Sequence, residues 1–313
     1  MPCTEPMKAW VHGTTESGKD KYVFRKPKGE AEQQLLPCGK CLSCQIDKSK
    51  EWATRGFHES QCHSENSFIT LTYDEEHLPE HGTLDKQDLK AFIKSLRYRV
   101  RPNKIKFLAA GEYGSPENSH RPHYHLCIFG YDPRDKKYLF TNKHGDPVYT
   151  SDLISKCWKH KGYITVASLN YRTVAYTARY TVKKIVTKED RVQEEYWIDK
   201  ETGETNYDPV AYKKHLLMQN KIPEFITMSN GIGKQWHEQY GKDTHKDYIT
   251  VNYAKHKVPR YYDTLLDKKD PELLKQIKEK RIEVAKATEK EPQKLKQEAT
   301  IKKRQIKQLK REL

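Results

Sequence analysis

The stretch "RPHYHLCIFG" at residues 121–130 sets His123 and His125 two residues apart at the entry to an apolar run. Alternate side chains of a strand share a face, so both imidazoles project together while Tyr124, Leu126 and Ile128 point the other way. Two imidazoles joined by a carboxylate suit a divalent cation that keeps open coordination positions, with Mg²⁺ or Mn²⁺ the expected ion. Glu112 is the candidate carboxylate, and Asp74, Glu75 and Glu76 are the alternatives. Farther along, Tyr176 and Tyr180 stand four apart, followed three residues later by Arg179 and Lys183 respectively. On a helix this spacing brings both tyrosines to one face, one turn apart. A tyrosine hydroxyl in line with a metal-held phosphodiester can attack phosphorus, forming a 5′-phosphotyrosyl bond and releasing a 3′-hydroxyl. One phosphoester replaces another, so a second attack can rejoin strands without ATP. An ordinary tyrosine ionises near pH 10, which makes Arg179 and Lys183 candidate aids to its ionisation.

A third cluster lies near the N-terminus. "CGKCLSC" spaces Cys38, Cys41 and Cys44 by two residues each, the gap typical of zinc ligands, and Cys3 can supply a fourth thiolate. Three free thiols or an iron–sulfur cluster are the other readings. Cys62, Cys127 and Cys157 read as small core residues.

Local patterns supply the elements that would hold these groups. "IDKSKEWATRGFHES" reads as a helix, and residues 67–73 as a β-branched strand. Leu89, Phe92, Ile93 and Leu96 recur at helical spacing after Asp85, a good N-cap. "KIKFLAAGEYG" is a second strand, and the loop "SPENSHRP" returns the chain into the histidine strand. Adjacent strands joined by such a loop are expected to be antiparallel, which sets Glu112 near His123. A hairpin-like insertion, a short helix near Ser151–His160 and the strand "GYITVASL" precede a helix that starts after Asn170 and carries both tyrosines. The predicted fold is α+β, a central antiparallel sheet with flanking helices and a helical C-terminal tail. Its expected divisions are 1–66, a cysteine-containing segment packed on the core; 67–190, the nuclease core; 191–265, an accessory part of the same domain; and 266–313, a basic helical tail.

Composition narrows the partners. A net charge of +15 favours a polyanion, and twenty tyrosines and five tryptophans offer surfaces on which bases can stack. The tail from Asp267 onward holds 16 Lys and Arg against 9 Asp and Glu, nearly half of that surplus. No run approaches the roughly 20 apolar residues that span a bilayer, and the start "MPCTEPMKAW" lacks a signal-peptide apolar region, so a cytosolic protein without a membrane partner is expected.

"FITLTY", "RPHYH" and "AYTARYTVKK" occur in that order across residues 67–184. They resemble the three motifs of the replication-initiation proteins of gokushovirus-type microviruses, small single-stranded DNA phages, within the HUH endonuclease superfamily. "PCGKCLSCQIDKSKEWATR" and "PEFITMSNGIGKQW" are similar to the same branch, while Arg179 stands where a lysine is common. The resemblance implies a ferredoxin-like or RRM-like core and a rolling-circle initiator. Such a protein nicks viral origin DNA, single-stranded or supercoiled duplex, through a 5′-phosphotyrosine and recircularises unit-length genomes in the host bacterial cytoplasm. No G-x-x-x-x-G-K-[ST] is present, so a host helicase is the implied source of unwinding. An HUH transposase or relaxase, and a non-catalytic zinc-containing nucleic-acid-binding regulator, are the competing readings.

Overall fold

The computed structural model describes residues 3–15, 20–114, 121–183, 217, 220–251, 253–287 and 291–308, except for the side chains of 180–183, 303 and 305–308. Two compact units form, one from Met1–Lys48 with Ile282–Lys310 and the other spanning Ser49–Arg281. In the first, strands β1 (Met7–Thr14), β2 (Asp20–Val23) and β3 (Gln33–Leu36) make a small antiparallel sheet in the order β2-β1-β3, which sequence reasoning did not anticipate. Helix α1 (Leu42–Gln61) follows.

The second unit contains β4 (Asn66–Thr72), α2 (Lys86–Arg99), β5 (Lys106–Tyr113), β6 (Pro122–Phe129), β7 (Lys136–Thr141), β8 (Pro147–Ser151), α3 (Asp152–Cys157), β9 (Ile164–Ser168) and α4 (Tyr171–Lys183). Beyond them come β10 (Phe225–Met228), α5 (Lys234–Tyr240), β11 (Tyr248–Val251), β12 (Ala254–Lys257) and α6 (Arg260–Lys269). Helices α7 (Pro271–Ala287) and α8 (Pro292–Gln308) form the C-terminal region. Seven strands build an antiparallel sheet in the order β10-β5-β6-β4-β9-β8-β7, so the protein is α+β with flanking helices, as the pattern of elements predicts. The β7–β8 hairpin extends this sheet, and β10 closes its other edge against β5. Among the described residues no helix is long and apolar enough to cross a membrane.

The two-residue period of the strands sorts the core into two layers. Ile69, Leu71, Ala109, Tyr124, Leu126 and Ile128 face α2 and α3, against Leu89, Phe92, Leu96, Ile154 and Trp158. Phe68, Leu108, Ala110, Cys127 and Phe129 face α4, against Val174 and Tyr176. The α2 layer holds most of the large buried apolar side chains; the α4 layer is thinner and carries the polar residues described below.

Local chemistry starts the helices where expected. Asp85 accepts the Gln87 and Asp88 N–H groups at 2.6 and 3.3 Å. Asn170 and Thr173 cap α4 reciprocally: the Thr173 N–H donates to Asn170 Oδ1 and the Asn170 N–H to Thr173 Oγ1, both at 3.0 Å. Gly56 sets how closely α1 approaches α4, since a Cβ there would lie 2.6 Å from Val174 Cγ1.

Candidate active site

Register brings the first group together. Glu112 of β5 pairs directly with His123 of β6, and Ala110 with His125; on the other side Thr70 of β4 pairs with His125. Alternation then sends Thr70, Glu112, His123 and His125 to the α4 face. One ligand atom from each of Glu112, His123 and His125 lies within 4.8 Å of the others, so the three could hold a metal ion. His123 Nε2 is 2.8 Å and His125 Nε2 2.6 Å from Glu112 Oε1. The imidazoles are oriented from behind: His123 Nδ1–H donates to the Arg121 carbonyl at 3.0 Å, and His125 Nδ1 meets Thr70 Oγ1 at 3.0 Å. Holding one ring nitrogen in this way directs the other toward a metal.

The fit to a cation rests on His125. Its Nε2 is buried and makes no hydrogen bond of acceptable geometry, although a carboxylate oxygen is 2.6 Å away. Two imidazole nitrogens and a carboxylate oxygen, aimed at one another in a buried spot, form a donor set that an ion bridges and that hydrogen bonds serve poorly. Burial disfavours charge on all three groups. At Glu112 the two imidazoles outweigh it and hold the carboxyl far below the usual carboxylate range. At His123 the hydrogen bond and charge of Glu112 also prevail and its pKa rises, whereas burial wins at His125 and its pKa falls.

The same oxygen receives a third group. Tyr176 Oη–H donates to Glu112 Oε1 at 2.8 Å, and the Tyr176 ring meets that of His125 edge to face at 5.0 Å. Burial, reinforced by the Glu112 charge, raises the Tyr176 pKa, while Arg179, its guanidinium carbon 4.8 Å from the ring centroid, opposes the rise. Helix α4 runs on through Tyr180 and Lys183, whose side chains lie outside the described residues.

The alternative carboxylates are otherwise engaged. Asp74 Oδ1 is 2.8 Å from His77 Nδ1, and Glu75 pairs with Arg121; neither these nor Glu76 joins the histidines. Sequence reasoning missed Thr70, although "FITLTY" contains it at the alternate position that faces the site. It also missed Glu224, a buried residue just before β10 whose Oε1 accepts the Tyr113 N–H at 3.3 Å. The strand signal of "EFITM" was available, but its place beside β5 was not.

The second group is in the other unit. One sulfur from each of Cys3, Cys38, Cys41 and Cys44 lies within 4.8 Å of the rest, a second set that could hold a metal ion. All seven cysteines are free thiols; Cys127 and Cys157 are buried core residues and Cys62 is half-buried.

Residues 66–185 match the model of the replication-associated protein ORF2/G2P family. The chain is 32% identical to replication-associated protein VP4 of Bdellovibrio phage phiMH2K, over 87% of this chain and 79% of that protein. It is 35% identical to replication-associated protein ORF2 of Spiroplasma virus 4, over 92% and 88%, and 37% identical to replication-associated protein ORF4 of Chlamydia phage 1, over 48% and 39%. No solved structure matches the chain.

Proposed function

The chain belongs to the microvirus replication-associated protein family, and from that membership we propose that it initiates rolling-circle replication as a site-specific single-strand DNA endonuclease and strand-joining enzyme. One observation carries the reading: the Tyr176 hydroxyl sits on the carboxylate oxygen that both imidazoles approach, so nucleophile and candidate metal ligands converge on a single point. His123, His125 and Glu112 would hold Mg²⁺ or Mn²⁺. When bound, the ion supplies Lewis-acid polarisation of the scissile phosphate.

The chain's own groups do the rest. Tyr176 Oη attacks phosphorus; the Oη–P bond forms, the P–O3′ bond breaks, and the 3′ oxygen takes up a proton in place of the one the phenol loses. The Arg179 guanidinium favours the phenolate, since positive charge over the ring stabilises it. Tyr180, one turn on and followed by Lys183, is the second nucleophile, free to cut a new origin while Tyr176 holds a 5′ end. The origin strand is drawn in by phosphate contacts from a chain of net charge +15. With no nucleotide-binding P-loop in the sequence, a host helicase unwinds the circle, and the work takes place in the infected host's cytoplasm.

The test is transfer of labelled origin DNA to the protein in Mn²⁺, with the linked peptide mapped. The wild type is expected to give an adduct on Tyr176 or Tyr180. The His123→Ala/His125→Ala variant should give none yet bind DNA within about twofold, because non-specific affinity comes from phosphate contacts. Full cleavage by that variant would sink the metal assignment.

A further inference from the structure

The unit formed by the two ends of the chain holds charges that the cleavage reaction does not use. Cys3 Sγ lies 3.6 Å from both Cys38 Sγ and Cys41 Sγ, and Cys44 completes the group. Four thiolates at about 2.3 Å around one tetrahedral ion stand roughly 3.8 Å apart, close to this spacing. A disulfide would join only two of the four, and a multi-iron cluster would spread its cysteines over two or more irons, whereas here all four sulfurs lie within 4.8 Å of one another.

Backbone donors already point at the sulfurs. The Cys38 N–H donates to Cys3 Sγ at 3.3 Å, and the Lys40 and Cys41 N–H groups donate to Cys38 Sγ at 3.4 and 3.2 Å. Gly39, at φ +73°, makes the tight turn that aims the latter two, and a side chain there would be strained. Cys44 sits in the first turn of α1, so the start of that helix carries one of the four sulfurs.

A second, independent observation is Lys302 of α8. It is only 8% exposed, and its Nζ donates to Ser43 Oγ at 2.8 Å. Ser43 is itself buried and lies between Cys41 and Cys44 in the chain. Among the described residues no carboxylate pairs with this ammonium, and a buried cation without a counter-charge is costly. A divalent ion in four thiolates carries a net charge of −2.

We propose that Cys3, Cys38, Cys41 and Cys44 bind one structural zinc ion and that Lys302 compensates the charge of this centre. The ion joins the N-terminal segment to the start of α1, and Lys302 fastens α8 to the same place. Removing the metal should therefore loosen both ends of the chain. Zinc suits the role because it is redox-inert and accepts tetrahedral sulfur.

Four measurements on the whole chain decide the matter. Elemental analysis should find about one zinc per chain, and the cobalt-substituted protein should show the intense visible bands and thiolate charge transfer of a tetrahedral sulfur site. Cys41→Ser should lose the metal. Loss of a ligand also risks the fold, so Lys302 provides a milder test: Lys302→Met should surrender zinc to a chelator about tenfold faster, while Lys302→Arg holds it like wild type. Folded protein lacking zinc, an iron centre in its place, or cobalt without thiolate bands would overturn the site. Unchanged zinc release from Lys302→Met would overturn the role of the lysine.

Discussion

Glu112 Oε1 is met by His123, His125 and Tyr176 at once, so small changes in ring orientation decide whether an ion or a hydrogen bond occupies the point between them. Thr70 controls one of those orientations. Its Oγ1 is 3.0 Å from His125 Nδ1, and without that contact the imidazole can turn and present the wrong nitrogen. Thr70→Val keeps the shape and removes the hydroxyl. We expect about 10- to 100-fold more Mn²⁺ to be needed for half-maximal nicking, with Mn²⁺ binding followed by electron paramagnetic resonance weakened in parallel. An unchanged Mn²⁺ requirement would make Thr70 a strand residue with no part in the site.

Helix α4 carries Tyr176, the proposed nucleophile, so on that reading its placement is a functional quantity. Its start is set by the Asn170–Thr173 cap, and its distance from α1 by Gly56. Alanine is normally about 1 kcal/mol better than glycine within a helix. Here its Cβ would fall 2.6 Å from Val174 Cγ1, and a buried β-branched valine in a helix has almost no other rotamer to adopt. Overpacking costs about 1–3 kcal/mol, so Gly56→Ala should destabilise the protein despite its helix propensity. In a Val174→Ala background the contact is absent, and the same substitution should stabilise by about 1 kcal/mol. Urea unfolding of the four proteins in this cycle would reveal the change of sign. A stabilising Gly56→Ala in the wild-type background would show that α1 and α4 can separate at no cost.

Stability of the whole Ser49–Arg281 unit should depend on pH through a residue outside the candidate site. His58 is buried, stacked on Trp236 with ring centroids 3.5 Å apart, and its Nδ1 lies 2.9 Å from the Tyr262 hydroxyl. Burial, aided by His256, pushes its pKa down from 6.5 to about 3. Below pH 6.5 the unfolded chain therefore binds a proton that the folded one refuses. Stability is full above that pH and falls as pH drops toward 3. Each pH unit within the window costs up to about 1.4 kcal/mol, or about 2 kcal/mol between pH 6.5 and 5. Burial also lowers the pKa values of His237 and His256, which act in the same direction. Denaturant unfolding at pH 7, 6 and 5 should show this loss, and a flat profile would mean that His58 is not held neutral in a dry cluster.

What could be read from the sequence was local. Alternation put His123 and His125 on one face, four-residue spacing set Tyr176 and Tyr180 a turn apart, and Asp85 and Asn170 marked helix starts, because strand period, helix period and capping are settled within a few residues. The α+β class followed from the order of such elements. Long-range pairing decided the remainder. Register between β4, β5 and β6 chose Glu112 over the acidic residues after β4 and placed Thr70 behind His125. The closing of β10 onto β5 put Glu224 against the Tyr113 backbone, 111 residues away in the chain. Packing within the terminal unit set Lys302 on Ser43, 259 residues away. Contacts at such separations depend on which surfaces bury one another, and no periodicity along the chain records that.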